Sequence, residues 1–75
     1  MINVEILNQE KTMFDGVAKS VILPGNEGEF ELLPLHWPIV SLLTRGEIII
    51  DEMGFPISRG IARFEGDKLV ALVEL

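Results

Sequence analysis

Apolar and polar residues alternate in short stretches along this chain, and glycine and proline separate the stretches at intervals too short for helices. Ile2, Val4 and Ile6 share one face of an extended segment over residues 2–7, with Asn3 and Glu5 on the other. Lys11 to Phe14 reads as a short piece ending at Asp15-Gly16, where glycine supplies the positive φ of a tight turn. Val17 to Leu23 follows as a strand whose second half is apolar on both faces. Pro24-Gly25-Asn26-Glu27-Gly28 is dense in turn residues, and Glu29 to Leu33 alternates again with Phe30 and Leu32 facing together. Pro34-Leu35-His36-Trp37-Pro38 reads as a loop, since neither proline can donate to a ladder and each restricts the residue before it. Ile39 to Leu43 fits either a short strand or a helical turn, and Thr44-Arg45-Gly46 punctuates it. Glu47 to Asp51 carries the β-branched run Ile48-Ile49-Ile50, a Glu52-Met53-Gly54 turn leads to Phe55 to Ser58, and Gly60 to Glu65 follows. Gly66-Asp67 then closes a hairpin into Lys68 to Leu75.

No segment of helical length shows a 3.6-residue period with caps. The pattern predicts an all-β fold, a flattened sandwich of two antiparallel sheets with about eight to ten short strands, and residues 1–75 as one domain. Three stretches, Val21-Ile22-Leu23, Ile48-Ile49-Ile50 and Leu69 to Val73, are apolar without alternation. Such strands are ordinarily covered on both faces, whereas a two-layer sandwich covers one. Part of the outside is therefore expected to meet something beyond this chain.

Composition sharpens that expectation. The apolar set makes up 48% of the 75 residues before the 7 glycines are added, against roughly 45–50% with glycine included in ordinary domains. No cysteine is present to supply a disulfide or a thiolate metal site, which agrees with a reducing compartment. The twelve acids outnumber the six bases, which are scattered, and a net charge of -6 repels nucleic-acid phosphates and anionic lipid alike. No apolar run approaches the roughly 20 residues that span a bilayer, and the N-terminus lacks the basic start and apolar stretch of a signal peptide. The chain is expected to be soluble.

The sequence does not hold the sets of residues that catalysis needs. There is no Cys, Ser20, Ser41 and Ser58 lie in strand-like text, and His36 is the only base of its kind. The carboxylate pairs Glu27/Glu29 and Asp51/Glu52 fall at turns, where they read as solvated acids. A metal site would need His36 with carboxylates alone, and neither a His-x-His nor a Glu-x-x-His spacing occurs. The Gly25 to Gly28 loop is no phosphate cradle, because Glu27 and Glu29 would repel the ligand. No metal and no cofactor is expected. The most informative spot is the adjacent pair His36-Trp37, the only His and the only Trp, bracketed by Pro34 and Pro38. Trp37 either folds back onto the core or stands out as a rigid contact residue with little entropy left to lose.

At this loop a family comes into view. In order, Glu10-Lys11-Thr12-Met13-Phe14, Gly16, Leu23-Pro24-Gly25, Glu27-Gly28-Glu29-Phe30, Leu33-Pro34, His36, Pro38, Leu43, Gly46 and Gly60 resemble the N-terminal domain of the epsilon subunit of F-type ATP synthases. The resemblance covers nearly the whole chain. It implies a non-catalytic central-stalk subunit that couples the gamma subunit to the membrane rotor ring during ion-driven ATP synthesis. It further implies a peripheral position on the cytoplasmic face of a bacterial plasma membrane or the equivalent organellar face. Carried over by position, Glu29 and His36, with Leu35 and Trp37 beside them, would contact the basic polar loops of the ring. Pro24, Gly25, Gly28, Pro34 and Pro38 would shape the loops, and an apolar flank would meet gamma.

Three departures from the family pattern stand out. Leu35 replaces a usual Gly, Trp37 a usual small residue, and Arg59 the first Gly of a common Gly-Gly pair, which predicts a bulkier ring contact and another backbone shape at Arg59. The C-terminal helical hairpin of many members, which in some binds ATP and inhibits hydrolysis, has no counterpart in these residues, so neither property is carried over. The competing expectations are a free-standing all-β adaptor or assembly module with another protein partner, and a self-associating β domain.

Overall fold

The computed structural model describes all 75 residues as nine β-strands and contains no helix. They are β1 (Ile2–Leu7), β2 (Thr12–Ala18), β3 (Val21–Gly25), β4 (Gly28–Leu32), β5 (Ile39–Leu43), β6 (Gly46–Ile50), β7 (Met53–Ile57), β8 (Arg59–Glu65) and β9 (Lys68–Glu74). The all-β reading and the strand count hold, and Ile39 to Leu43 is a strand.

One hydrogen-bonded path runs β2-β1-β9-β8-β5-β3-β6-β7, with β4 on the other edge of β3. The path folds over at the step from β5 to β3. There Gly25 and Leu43 are the only paired residues, flanked by Asn26 N–H donating to the Leu42 carbonyl at 2.9 Å and Thr44 N–H to the Pro24 carbonyl at 2.8 Å. The β2-β1-β9-β8-β5 layer thus faces the β4-β3-β6-β7 layer, and the sandwich is a curled sheet rather than two separate flat ones. One pair is also parallel: β9, returning from its hairpin with β8, lies beside β1 in the same direction.

Each strand sends alternate residues inward, as a pleat requires. Ile2, Val4 and Ile6 of β1, Ala62 and Phe64 of β8, and Leu69, Ala71 and Val73 of β9 meet Val21 and Leu23 of β3, Leu32 of β4, and Ile48 and Ile50 of β6 in one cluster of 16 buried apolar residues. No charged or polar side chain is buried with them. The edge strands of the two layers approach through Phe14 of β2 and Phe55 of β7, edge to face at 5.6 Å between ring centres. Geometry of this kind adds about 0.5–1.5 kcal/mol beyond the area buried.

Four local expectations shift. Asp15-Gly16 is not a turn, because β2 runs straight through it. Gly16 serves space rather than φ: a Cβ there would lie 3.1 Å from the Phe14 ring. The break comes instead at Lys19-Ser20, whose N–H groups both donate to the Asp51 carboxylate, at 3.0 and 3.2 Å. Pro24 and Gly25 are buried inside β3, and the pairing of Gly25 with Gly28 leaves Asn26-Glu27 as the turn; Gly25 is needed for space, because a Cβ there would sit 2.7 Å from the Gly28 carbonyl oxygen. The turn after β6 is Asp51-Glu52, one residue earlier than the sequence suggested, and β7 starts at Met53. Arg59 continues into β8 and pairs with Glu74 at 3.1 Å, so no glycine-like backbone is needed there. The Gly66-Asp67 hairpin is as expected, with both residues at positive φ (58° and 55°), the primed geometry that suits strand twist.

Candidate functional site

The loop over residues 33–38 is built tightly. His36 N–H donates to the Leu33 carbonyl at 3.2 Å, Pro34 holds the second position, and Leu35 holds the third with φ 71°. This is the pattern of a type II turn, which places a positive φ at the third residue and favours Gly there. The turn therefore gives a physical reason for a Gly at this position, and Leu35 takes it up against its preference. Leu35 N–H donates to the Asp67 carboxylate at 2.7 Å, which ties the loop to the β8–β9 hairpin. Asp67 in turn accepts from Asn3 N–H through its own carbonyl at 2.8 Å.

His36 is the residue that turns inward. Its ring lies edge-on to the core residue Phe64 at 6.0 Å and against the Trp37 ring at 4.5 Å, and Nδ1–H donates to the Trp37 carbonyl at 2.6 Å. Trp37 does not fold back onto the core: it is 73% exposed, and Leu35 beside it is 89% exposed. Of the two alternatives for Trp37, the structure has the outward one.

Glu29 lies elsewhere. It stands next to the Asn26-Glu27 turn at the start of β4, whereas Leu35, His36 and Trp37 follow the far end of that strand. The three residue steps from Glu29 to Leu32 alone span roughly 10 Å. The structure thus places the four candidate contact residues in two spots rather than one. Glu29 lines a groove of about 560 Å³ with Gly25, Gly28, Phe30, Ile39 and Val40. Neither Glu27, Glu29 nor Glu31 has a basic partner; the two ion pairs are Arg59–Glu74 and Arg63–Glu65, both on the surface. Pro34 and Pro38 bracket the loop as expected, and Gly28 opens β4 at φ 126°.

A second surface gives the expected apolar flank its residues. On the outward face of the β1-β9-β8-β5 layer the register aligns Leu7, Leu72, Ile61 and Leu42 side by side across four strands. Leu42, Ile61 and Leu72 are exposed, and the row borders a shallow cleft of about 620 Å³. On the other layer the unalternating strands place Ile22 opposite Ile49, both half-buried. Each member of the leucine row sits in the outward phase of its own strand, which the sequence shows; that they are neighbours depends on long-range pairing, which it does not. No helix in the structure is long and apolar enough to cross a membrane, and no group of three or more His, Asp and Glu side chains is arranged to hold a metal.

Comparison with known proteins follows from this geometry. Residues 1–74 match the family described as the ATP synthase, Delta/Epsilon chain, beta-sandwich domain. The chain is 35% identical over 79 aligned positions to the ATP synthase epsilon chain of Sulfurovum sp. (strain NBC37-1), covering 99% of this chain and 62% of that protein. It is 37% identical over 78 positions to the epsilon chain of Campylobacter fetus subsp. fetus (strain 82-40), covering 97% and 60%. The chain therefore spans about three fifths of the length of these relatives. Among solved structures, a chain of the Tetrahymena thermophila mitochondrial ATP synthase central stalk and c-ring superposes with a TM-score of 0.80 at 16% identity, over 99% of this chain and 63% of that one. A chain of the Euglena gracilis mitochondrial ATP synthase superposes at 0.83 and 20% identity, over 96% and 49%. At those identities the likeness is one of fold. The family match over nearly the whole chain, together with relatives above 30% identity, shows that this chain belongs to the ATP synthase delta/epsilon chain β-sandwich family.

Proposed function

We propose that this chain is one domain of the central stalk of an F-type ATP synthase, without chemistry of its own, which joins the gamma subunit to the membrane rotor ring so that the two turn together. The observation that carries the reading is the pairing of two separate contact surfaces on one body. The leucine row Leu7, Leu72, Ile61 and Leu42 is the flank offered to gamma, since a contiguous outward apolar row is what a stable protein interface covers. The stiff loop of Leu35, His36 and Trp37, with Glu29 at the other end of β4, is offered to the ring. Ion-driven rotation loads such a link mechanically, and a body whose sheets share one core transmits the load without bending. The names of the relatives, ATP synthase epsilon chain, support this assignment. Within the assembly the chain sits at the membrane periphery, on the cytoplasmic face of a bacterial membrane or its organellar equivalent.

Co-purification with tagged gamma tests the reading. The chain should be retained stoichiometrically at micromolar concentration, and Leu72→Lys or Leu42→Lys, which place a charge in the outward row without entering the core, should lower retention at least tenfold. If gamma ignores this chain while retaining an established epsilon domain, the assignment loses its support. Equal retention of the wild type and both variants would move the gamma contact to another face.

A further inference from the structure

We infer that Leu35 and Trp37 form a preorganised apolar anchor that inserts into a pocket of apolar side chains on the partner protein, and that this insertion, rather than charge pairing, fixes the loop on the rotor ring. The inference rests on the ring assignment above and adds the chemistry of the contact. Three observations converge on it.

The first is strain from which the side chain gains no contact within the chain. Leu35 occupies a left-handed backbone conformation that glycine adopts freely, yet its side chain is 89% exposed and touches none of the core cluster. Backbone strain of this kind is held by the surrounding structure and clusters where a protein binds or switches. The second is rigidity. The loop is fixed by the His36-to-Leu33 backbone bond, by the bond from Leu35 N–H to Asp67, by the His36 contact with Phe64, and by the two prolines. An aromatic residue on such a support loses little freedom on binding, and Trp is the commonest centre of an interface hot spot.

The third is charge. The carboxylate beneath the turn belongs to Asp67, the chain carries a net charge of -6, and neither Leu35 nor Trp37 brings a charge of its own. An anionic lipid surface is therefore a poor occupant, and an apolar protein pocket is the fitting one. Glu29, at the opposite end of β4, stands too far away to fix the loop electrostatically.

Trp37 is the only tryptophan, so its fluorescence reports on the anchor alone. The detergent-solubilised rotor ring of the same organism should shift Trp37 emission to the blue and protect it from acrylamide, with binding that weakens less than threefold between 0.05 and 0.5 M salt. Leu35→Gly and Leu35→Ala should each weaken ring binding about tenfold, and Trp37→Ala, followed by light scattering, more than that. Gamma retention of all three variants should be unchanged, which separates a failure here from a failure of the stalk assignment. The inference is overturned if the ring does not bind, if it binds with Trp37 emission unmoved, or if affinity follows salt and not these substitutions. A blue shift on phosphatidylcholine vesicles equal to that on the ring would assign the loop to lipid and overturn it as well.

Discussion

Replacing Leu35 by glycine should make this domain more stable, although it deletes a whole side chain. The left-handed conformation costs a residue with a Cβ about 1–2 kcal/mol, and Leu35 holds it at φ 71°. Glycine removes that cost but enlarges the unfolded ensemble, returning roughly 0.4–1 kcal/mol. The lost side chain matters little, since Leu35 is 89% exposed and full burial of a leucine is worth only about 1.5–3 kcal/mol. The balance favours Leu35→Gly by about 0.5–1 kcal/mol. For a domain of this size 1 kcal/mol moves the melting temperature by roughly 4–8 °C, so the variant should melt about 2–8 °C higher. Leu35→Ala is the control: it deletes the same apolar bulk but keeps a Cβ, and it should melt within about 2–3 °C of wild type. Thermal denaturation by circular dichroism, with urea midpoints as a check, reads both. A Leu35→Gly variant that melts at or below wild type, or a Leu35→Ala variant that gains as much, would refute the argument that strain is stored at this residue.

Two further substitutions test the packing described above. Gly25→Ala sets a Cβ 2.7 Å from the Gly28 carbonyl oxygen and 2.8 Å from the Phe30 ring; because backbone cannot swing aside, the urea midpoint should fall by the equivalent of about 1–3 kcal/mol. Gly16→Ala, which meets only the Phe14 side chain at 3.1 Å and no backbone, should cost less, and the reverse order would overturn the explanation of these glycines. Phe64→Ala should cost about 3–5 kcal/mol, a large share of the roughly 4–11 kcal/mol that a chain of this length has in total. It should also speed amide exchange at Leu35 and His36 beyond the global change, because the His36 ring loses its edge-on neighbour. Exchange there that merely follows the global change would remove Phe64 as a support of the loop.

The strands were legible because burial follows the period of two. Ile2, Val4 and Ile6, for example, are inward in the structure as the alternation requires. Turns were legible only where local chemistry is decisive. Gly66-Asp67 can take two positive φ values and does, whereas Asp15-Gly16 looks equally suited and is strand, because the glycine makes room for Phe14 two residues before it. Nothing local could reveal the parallel neighbours β1 and β9, or the single pair Gly25–Leu43 on which the sheet folds over. The loop shows the same division. Two prolines marked it, but that His36 and not Trp37 turns inward, onto a Phe64 that lies 28 positions further along the sequence, was not legible locally.

The surplus of apolar residues has a structural origin. Nine strands of five to seven residues in two layers contribute one to three fully inward residues each, and these make up the 16-residue core. Met13, Phe14, Phe30, Ile39 and Phe55 pack against that core half-buried, and the exposed apolar residues beyond them are not spread evenly. Leu42, Ile61 and Leu72 lie in one cross-strand row, and Leu35 and Trp37 crown one loop, while Glu29 and Glu31 project from the edge strand β4. Cross-strand register, not sequence proximity, gathers the row, and it borders charged neighbours: Leu42 lines one groove with Glu29, and Leu72 a cleft with Arg59 and Glu74. On the stalk assignment proposed above, a small domain with a modest core would gain from its partner what its own interior cannot supply, since an outward row covered by another subunit adds burial that the free chain lacks. Stability and assembly would then be coupled. Outward substitutions such as Leu72→Lys should leave the free domain nearly unchanged yet lower the melting temperature of the complex with gamma. Loss of stability already in the free domain would show that the row serves the fold rather than the interface.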